Sequence, residues 1–203
     1  MNLMTSTEFK SLVAVGEMSQ SDLAAIYEHE VFPEALARMR AFAAEAMRFD
    51  VLYLTAGTQP FSQALSMVAT PAEKVVFIAT DDSKCQESLH RAIELAGLEP
   101  GRCEIHTFPE PFSVTDMTKE IYFHATTCGK KHLAADITSG RKVMSAALSS
   151  IASELEMQQF YLHAEYLRGG FAVNERRMSV PSIAALVRYL ETEESAVDDE
   201  GEA

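Results

Sequence analysis

The residues best placed to do chemistry fall in one short string, Asp136-Ile137-Thr138-Ser139-Gly140-Arg141-Lys142-Val143-Met144-Ser145. Two hydroxyl side chains and a glycine precede two cations, at a point where a strand-like run gives way to a helical one. Backbone N–H groups at a helix start, hydroxyls and positive charge then meet in a single turn, which is the chemistry a small anion such as phosphate requires. A capped helix followed by two solvated basic residues would carry the same letters, so the string alone leaves both readings open. A second string, Thr55-Ala56-Gly57-Thr58-Gln59-Pro60, combines hydroxyls, a permissive glycine and a proline suited to the first turn of a helix. It contains neither GxGxxG nor GxxxxGK followed by Ser or Thr, so neither a dinucleotide fingerprint nor a Walker-type loop is present. A plain turn needing Gly57 for its backbone angles would read alike. A third string, Thr80-Asp81-Asp82-Ser83, is polar enough to end a strand and cap a helix.

Histidine and cysteine offer less. His163 closes a strand at the same end of the sheet, where a hydrogen-bonded structural histidine is favoured over a catalytic base. His132 begins a strand at the opposite end and reads as structural. The three cysteines, Cys85, Cys103 and Cys128, are odd in number, widely spaced and without a CxxC pair, so they read as reduced, mostly buried thiols. The ten methionines read as core filler. No cofactor and no metal is expected.

The elements that must position these strings follow from periodicity. Ser21 to Arg48 has helical spacing, interrupted at Phe32-Pro33, which predicts two helices with Ser19 or Ser21 as the first N-cap. After Asp50 strands and helices alternate. Strands are expected at 51–55, 74–79, 103–108, 132–137 and 158–163, with helices at 61–69, from the Thr80–Ser83 string to Ala96, at 114–124 and at 142–154. Gly97 stops the second of these helices. A short extra strand after Arg168-Gly169-Gly170 and a final helix from Pro181 to Leu190 complete the prediction. Alternating strands and helices of these lengths imply right-handed crossovers and a Rossmann-like α/β fold, a mostly parallel sheet with helices on both faces. The expected organisation is an N-terminal helical extension over 1–49, one α/β domain over 50–190, and an acidic, solvated and disordered tail over 191–203. In an open parallel sheet ligands bind outside the carboxyl ends of the strands, where all three polar strings lie.

Of the 203 residues, 47% are hydrophobic, enough for one full-sized core. No apolar run approaches the ~20 residues of a membrane span, and the N-terminus lacks a signal-peptide pattern, so a cytoplasmic protein with no membrane partner is expected. A net charge of −13 argues against long nucleic acid as a partner. Lys130, Lys131, His132, Arg141 and Lys142 are nonetheless dense enough to serve a small anion locally.

Asp136-Ile137-Thr138-Ser139-Gly140-Arg141-Lys142-Val143-Met144 resembles the strand-four signature of CARF domains, the CRISPR-associated Rossmann-fold sensors, in which a D-x-T-G-G-x-K-x-M-like string is typical; Ser139 departs from the commoner glycine. Val51 to Pro60 is similar to that family's first strand and ligand loop, Thr80-Asp81-Asp82-Ser83 to its polar loop after strand two, and Arg176-Arg177-Met178-Ser179-Val180-Pro181 to its basic, proline-containing segment after the sheet. The resemblance implies a homodimer that binds cyclic tetra- or hexa-adenylate across its two-fold axis in type III CRISPR antiviral defence. Thr138, Ser139 and Gly140 would then contact phosphate or ribose, Arg141 and Lys142 would neutralise charge, and Thr55, Gly57, Thr58 and Gln59 would line the ring. Asp81, Asp82 or Ser83 would meet ribose or adenine edges. The chain shows no R-x4-6-H ribonuclease signature, since Arg102 and His106 are too close, and no D…ExK core. A sensor without an effector domain either cleaves its own ligand as a ring nuclease, with Lys142 stabilising charge and Ser139 or Thr58 positioning, or reports to a separate effector protein. A ligand-switched interaction module and an unrelated Rossmann-like nucleotide enzyme are the alternatives.

Overall fold

The computed structural model describes residues 4–111, 113–168 and 171–181. Its centre is made by two strands whose apolar residues are buried on both sides, β1 (Phe49–Thr55) and β2 (Ala72–Thr80). Strand alternation sends Leu52, Leu54 and Phe77 into one core layer and Val51, Tyr53, Val76 and Ile78 into the other. With β3 (Cys103–Phe108), β4 (Leu133–Asp136), β5 (Gln158–Tyr166) and β6 (Ala172–Val180) they form one six-stranded sheet in the order β3-β2-β1-β4-β5-β6. All neighbours are parallel except β6, which runs antiparallel to β5. The fold is the expected Rossmann-like α/β architecture.

Helices α4 (Pro60–Ala69) and α5 (Ser83–Ala96) cover the first layer, and α6 (Val114–Thr127) and α7 (Lys142–Glu154) the second. Their ends follow local chemistry. Asp82 caps α5 by accepting from the Cys85 N–H at 3.1 Å, and Gly97 closes it in the left-handed region at φ +67°.

Upstream of the sheet lie α1 (Ser6–Val15), α2 (Gln20–Ile26) and α3 (Phe32–Ala44). Two of these boundaries differ from expectation. Helix α1 has too short an apolar face to stand out in the sequence, and Pro33 does not break the chain into separate helices. A π-helical turn at Tyr27–Val31 links α2 to α3, and Pro33 falls in the first turn of α3, where its missing N–H costs no intrahelical bond. These helices share the first core layer with the sheet. Phe9 stacks edge-on to Phe171 at 5.3 Å, and the buried Tyr27 hydroxyl donates to the Ala172 carbonyl at 2.7 Å. Each such ring contributes about 1.5–3 kcal/mol by burial.

The last strand requires a correction. The basic segment Arg176-Arg177-Met178-Ser179-Val180, read from the sequence as following the sheet, forms the second half of β6, with His163 opposite Arg176 and Gln159 opposite Val180. Buried Glu175 and half-buried Arg177 interrupt the apolar alternation, which is why only the start of the strand was legible. A register shift at His163/Glu165 and a left-handed Asn174 (φ +56°) show that a bulge bends this edge pair. Gly169 and Gly170, the helix expected over 181–190 and the acidic tail lie outside the described residues, apart from Pro181. Among the described residues no helix is long and apolar enough to cross a membrane.

Candidate functional site: the crevice between β1 and β4

β1 and β4 are adjacent, with Leu54 opposite Asp136, yet α4 leaves β1 toward one face of the sheet and α7 leaves β4 toward the other. The loops between them therefore diverge and leave a crevice, the topological switch point at which open α/β sheets bind ligands.

The two loop backbones touch without side chains between them. A Cβ on Gly57 would lie 2.8 Å from the Gly140 nitrogen, and a Cβ on Gly140, whose φ is +82°, would lie 2.7 Å from the Thr55 Cβ. Both glycines are thus required by close approach, and Gly140 also by its backbone angle. The turn is held from beneath. Thr55, fully buried, donates its hydroxyl to the Ser139 carbonyl, and the Ser145 hydroxyl donates to the same oxygen at 2.8 Å. The Thr138 N–H donates to Asp136 at 2.9 Å, while the Thr138 hydroxyl accepts from the Leu162 N–H at 2.7 Å. Across the crevice, buried Gln63 donates to the carbonyls of Gly57 and Gln59 at 3.0 and 3.2 Å. Helices α4 and α7 both begin here, and their N-cap residues, Gln59 and Arg141, make no side-chain cap bond.

Two small clefts flank the Gly57–Gly140 contact. One, of about 170 Å³, is lined by Gly57, Thr58, Gln59, Ser62, Thr138, Ser139, Gly140 and Tyr166. The other, of about 140 Å³, is lined by Ala56, Gly57, Thr58, Thr80, Asp82, Cys85, Gly140 and Arg141. Both fall short of the about 300–1,000 Å³ of pockets that enclose a ligand, so a large ligand would lie across them instead of inside them.

Most of the predicted site residues come together here, in unequal roles. Gly57, Thr58, Gln59, Thr138, Ser139 and Gly140 line the first cleft; Asp82 and Arg141 line the second. Thr55 is sealed beneath the turn and supports it. Asp81 accepts from the Glu110 N–H at 3.0 Å, and Asp82 caps α5, so both carboxylates already have structural bonds. Ser83 opens α5, exposed, and lines neither cleft. Arg141 pairs with Glu110 at 2.6 Å; Lys142 is exposed at the start of α7 and lines neither cleft. His163 is exposed on β5 and likewise lines neither. Sequence reasoning missed Ser62, Gln63 and Tyr166. Tyr166 would have been found had β5 been carried past His163; Gln63 gives no signal, being one polar residue in an otherwise ordinary helix.

The charge beneath the site is arranged by burial. Asp136, 1% exposed, has its carboxyl pushed above the usual range by desolvation, against the pull of the Thr138 N–H and of Arg177. Arg177 stacks on Phe160 at 3.4 Å and donates to the Thr70 hydroxyl at 3.0 Å, and its own burial pushes it down to about 10. Arg177, opposite Leu162 on β5, thus acts on Asp136 from within the fold and not from the crevice.

The fold and crevice together define a Rossmann-like α/β protein with a glycine-lined, hydroxyl-rich crevice at its switch point. Similar solved structures include Can2 from Sulfobacillus thermosulfidooxidans in complex with cyclic tetra-adenylate, at 12% identity and a TM-score of 0.48 over 65% of this chain and 37% of that one. Another is Enterococcus italicus Csm6 bound to cyclic hexa-2′-fluoro-hexa-dAMP, at 10% identity and a TM-score of 0.44 over 78% of this chain and 41% of that one. The chain thus spans well under half the length of either protein. No family model and no curated protein matches it.

Proposed function

We propose that the crevice binds a cyclic oligoadenylate ring of four or six nucleotides and that the protein is a sensor of the CARF type in type III CRISPR antiviral defence. The observation that carries this reading is the backbone contact of Gly57 with Gly140, which brings two uncapped helix starts and the hydroxyl-rich turns at Thr58 and Ser139 to one spot. Helix starts without side-chain caps and hydroxyls free of bulky neighbours suit a phosphodiester, and the resemblance of the 136–144 string to the CARF signature supplies the ligand class. Clefts this small and open favour a ring shared between two copies of the chain about a two-fold axis, each contributing one cradle.

The same cradle permits cleavage without a metal. A ribose 2′-oxygen attacks the adjacent phosphorus, the bond to the 5′-oxygen breaks, and the proton passes from the attacking hydroxyl to the leaving oxygen, giving a linear chain with a 2′,3′-cyclic phosphate. Thr58 and Ser139 would align the ring, and Lys142 would stabilise charge from the rim. Among the described residues no histidine lines either cleft, so cleavage would rest on alignment and charge stabilisation alone.

Incubating the purified chain with cyclic tetra- and hexa-adenylate, with and without a chelator, tests this. Tight binding without turnover supports the sensor, and chelator-resistant linear products support the nuclease. Failure to bind either ring overturns both and leaves a different nucleotide as substrate. Lys142→Ala, at an exposed helix start, should weaken binding while leaving the thermal midpoint unchanged; unaltered affinity and rate would remove Lys142 from the site.

A further inference from the structure

Away from the crevice, on the face covered by α6 and α7, a second constellation of chemically capable side chains forms. Glu104 and His106 are two apart on β3, so strand alternation points both the same way, and His124 meets them from α6. One ligand atom from each lies within 4.8 Å of the other two. We propose that Glu104, His106 and His124 bind a divalent transition-metal ion, Zn²⁺ in first place, with water completing the coordination.

The geometry supports this in three ways. First, His106 Nε2 lies 2.9 Å and His124 Nε2 3.3 Å from the same Glu104 oxygen, Oε1. Tetrahedral ligands at about 2.0–2.1 Å from Zn²⁺ stand about 3.3–3.4 Å apart, so the His124 edge already has metal-site length and the His106 edge, now a hydrogen bond, would lengthen by about 0.4–0.5 Å. Second, both imidazoles are anchored through their other nitrogen. His106 Nδ1 hydrogen-bonds Glu120 at 2.6 Å and His124 Nδ1 hydrogen-bonds the Tyr53 hydroxyl at 2.8 Å; with a metal on Nε2 of each ring, the δ nitrogens would be the protonated ones. These bonds fix both rings with Nε2 toward the same Glu104 oxygen, where a metal would replace the proton that His106 Nε2 shares with the carboxylate, and anchoring of the second nitrogen is the outer-shell pattern that accompanies metal-bound histidine. Third, the residues are half-buried, with side-chain exposures of 31%, 14% and 19% for Glu104, His106 and His124, so the rings are held by packing while the position stays reachable. Two imidazoles and one carboxylate suit Zn²⁺ better than Mg²⁺ or Ca²⁺, which prefer oxygen alone.

Lys74 pairs with the other Glu104 oxygen, Oε2, and leaves Oε1 to the histidines. Its ammonium opposes a dication, so it weakens the site without blocking it. A bound ion would tie edge strand β3 to α6 and, through Tyr53, to β1, a staple independent of the crevice and of what the crevice binds.

The full chain, stripped with a chelator and dialysed, is titrated with Co²⁺ and then Zn²⁺. Expected are one ion per chain, visible absorption bands of four-coordinate Co²⁺ that Zn²⁺ bleaches, and a thermal midpoint that rises with free Zn²⁺. His106→Gln and His124→Gln should each weaken binding by about 100-fold or more, Glu120→Gln by about 10-fold through loss of ring orientation, and His132→Gln not at all. Lys74→Ala should tighten it. Should a histidine variant fail to fold, histidine footprinting of the unaltered chain decides, because Zn²⁺ must protect His106 and His124 and leave His90 and His163 reactive. No saturable Zn²⁺ binding at micromolar concentration, or protection spread over all histidines, overturns the site in favour of an ion-paired structural cluster.

Discussion

At the scale of single residues, the site depends on what is missing from Gly57 and Gly140. Adding a methyl to Gly57 places carbon 2.8 Å from a backbone nitrogen that no side-chain rotation can move. Gly57→Ala should therefore force the two loops apart and weaken ring binding at least tenfold, read by titration calorimetry. Gly140→Ala should do the same and also destabilise the fold, since a left-handed alanine costs about 1–3 kcal/mol before its clash with Thr55 is counted. Wild-type affinity in Gly57→Ala would mean that the ligand sits elsewhere. A second residue, Glu175, tests the electrostatics of the fold. Its side chain is fully buried, Oε2 accepts from Arg38 at 2.7 Å, Oε1 has no partner, and burial raises its pKa against the pull of Arg38. A carboxyl with a higher pKa folded than unfolded keeps its proton longer in the folded chain. Its contribution is thus most favourable at low pH and is lost as pH rises from the unfolded carboxyl value through the folded one. Glu175→Gln removes that penalty, while Arg38 keeps Glu34 at 2.9 Å. The variant should be more stable than wild type at pH 8 by on the order of 1 kcal/mol, about 2–4 °C in Tm, with the gap closing as pH falls toward 4. A variant less stable at every pH would show that the Arg38 ion pair outweighs the cost of burial.

At the scale of elements, the helices before the sheet are its cover. Phe9 of α1 is fully buried, stacks on Phe171 and lies 5.6 Å from Tyr27, whose hydroxyl holds the carbonyl of Ala172 at the start of β6. Phe9→Ala should cost about 3–5 kcal/mol, with amide exchange accelerating first in α1 and β6; a loss below about 1 kcal/mol would mean that α1 is a loosely docked arm. Little of this was legible in the sequence. The βα alternation was, because the central parallel strands read as near-continuous apolar runs and their helices carry ordinary caps such as Asp82 and Gly97. The edges were not, because β6 places buried Glu175 and half-buried Arg177 where a strand pattern calls for apolar residues, and because Pro33 follows a π-helical turn that lets the chain continue. The site was legible where it depends on backbone and small residues, at Gly57, Thr58, Thr138, Ser139 and Gly140. It was illegible where it depends on long-range placement. Tyr166 comes from an unexpectedly long β5, and the Glu104, His106 and His124 cluster comes from a strand and the helix after it, with no short Cys/His spacing to announce it.

At the scale of the whole molecule, charge sets how an anionic ring would arrive. The chain carries −13, and the cations near the crevice are few: Arg141, already paired with Glu110, and Lys142 at the rim. At low salt, where the Debye length grows toward about 30 Å, an approaching ring would meet the summed repulsive field of the acidic chain, while at contact it would meet backbone amides and one or two local cations. The two regimes respond oppositely to salt. Screening the distant acidic groups should speed encounter, and screening the local cations should weaken the bound state only modestly, because amides and hydroxyls supply most of the contacts. We expect the association rate of a cyclic oligoadenylate to rise as salt increases from about 20 to 150 mM, opposite to the steep fall of proteins that bind nucleic acid through a basic face. Stopped-flow fluorescence with a labelled ring would read it directly. A rate that falls steeply over that range would mean that a basic surface larger than Arg141 and Lys142 receives the ligand, and the binding site would then have to be sought on whichever face carries that surface.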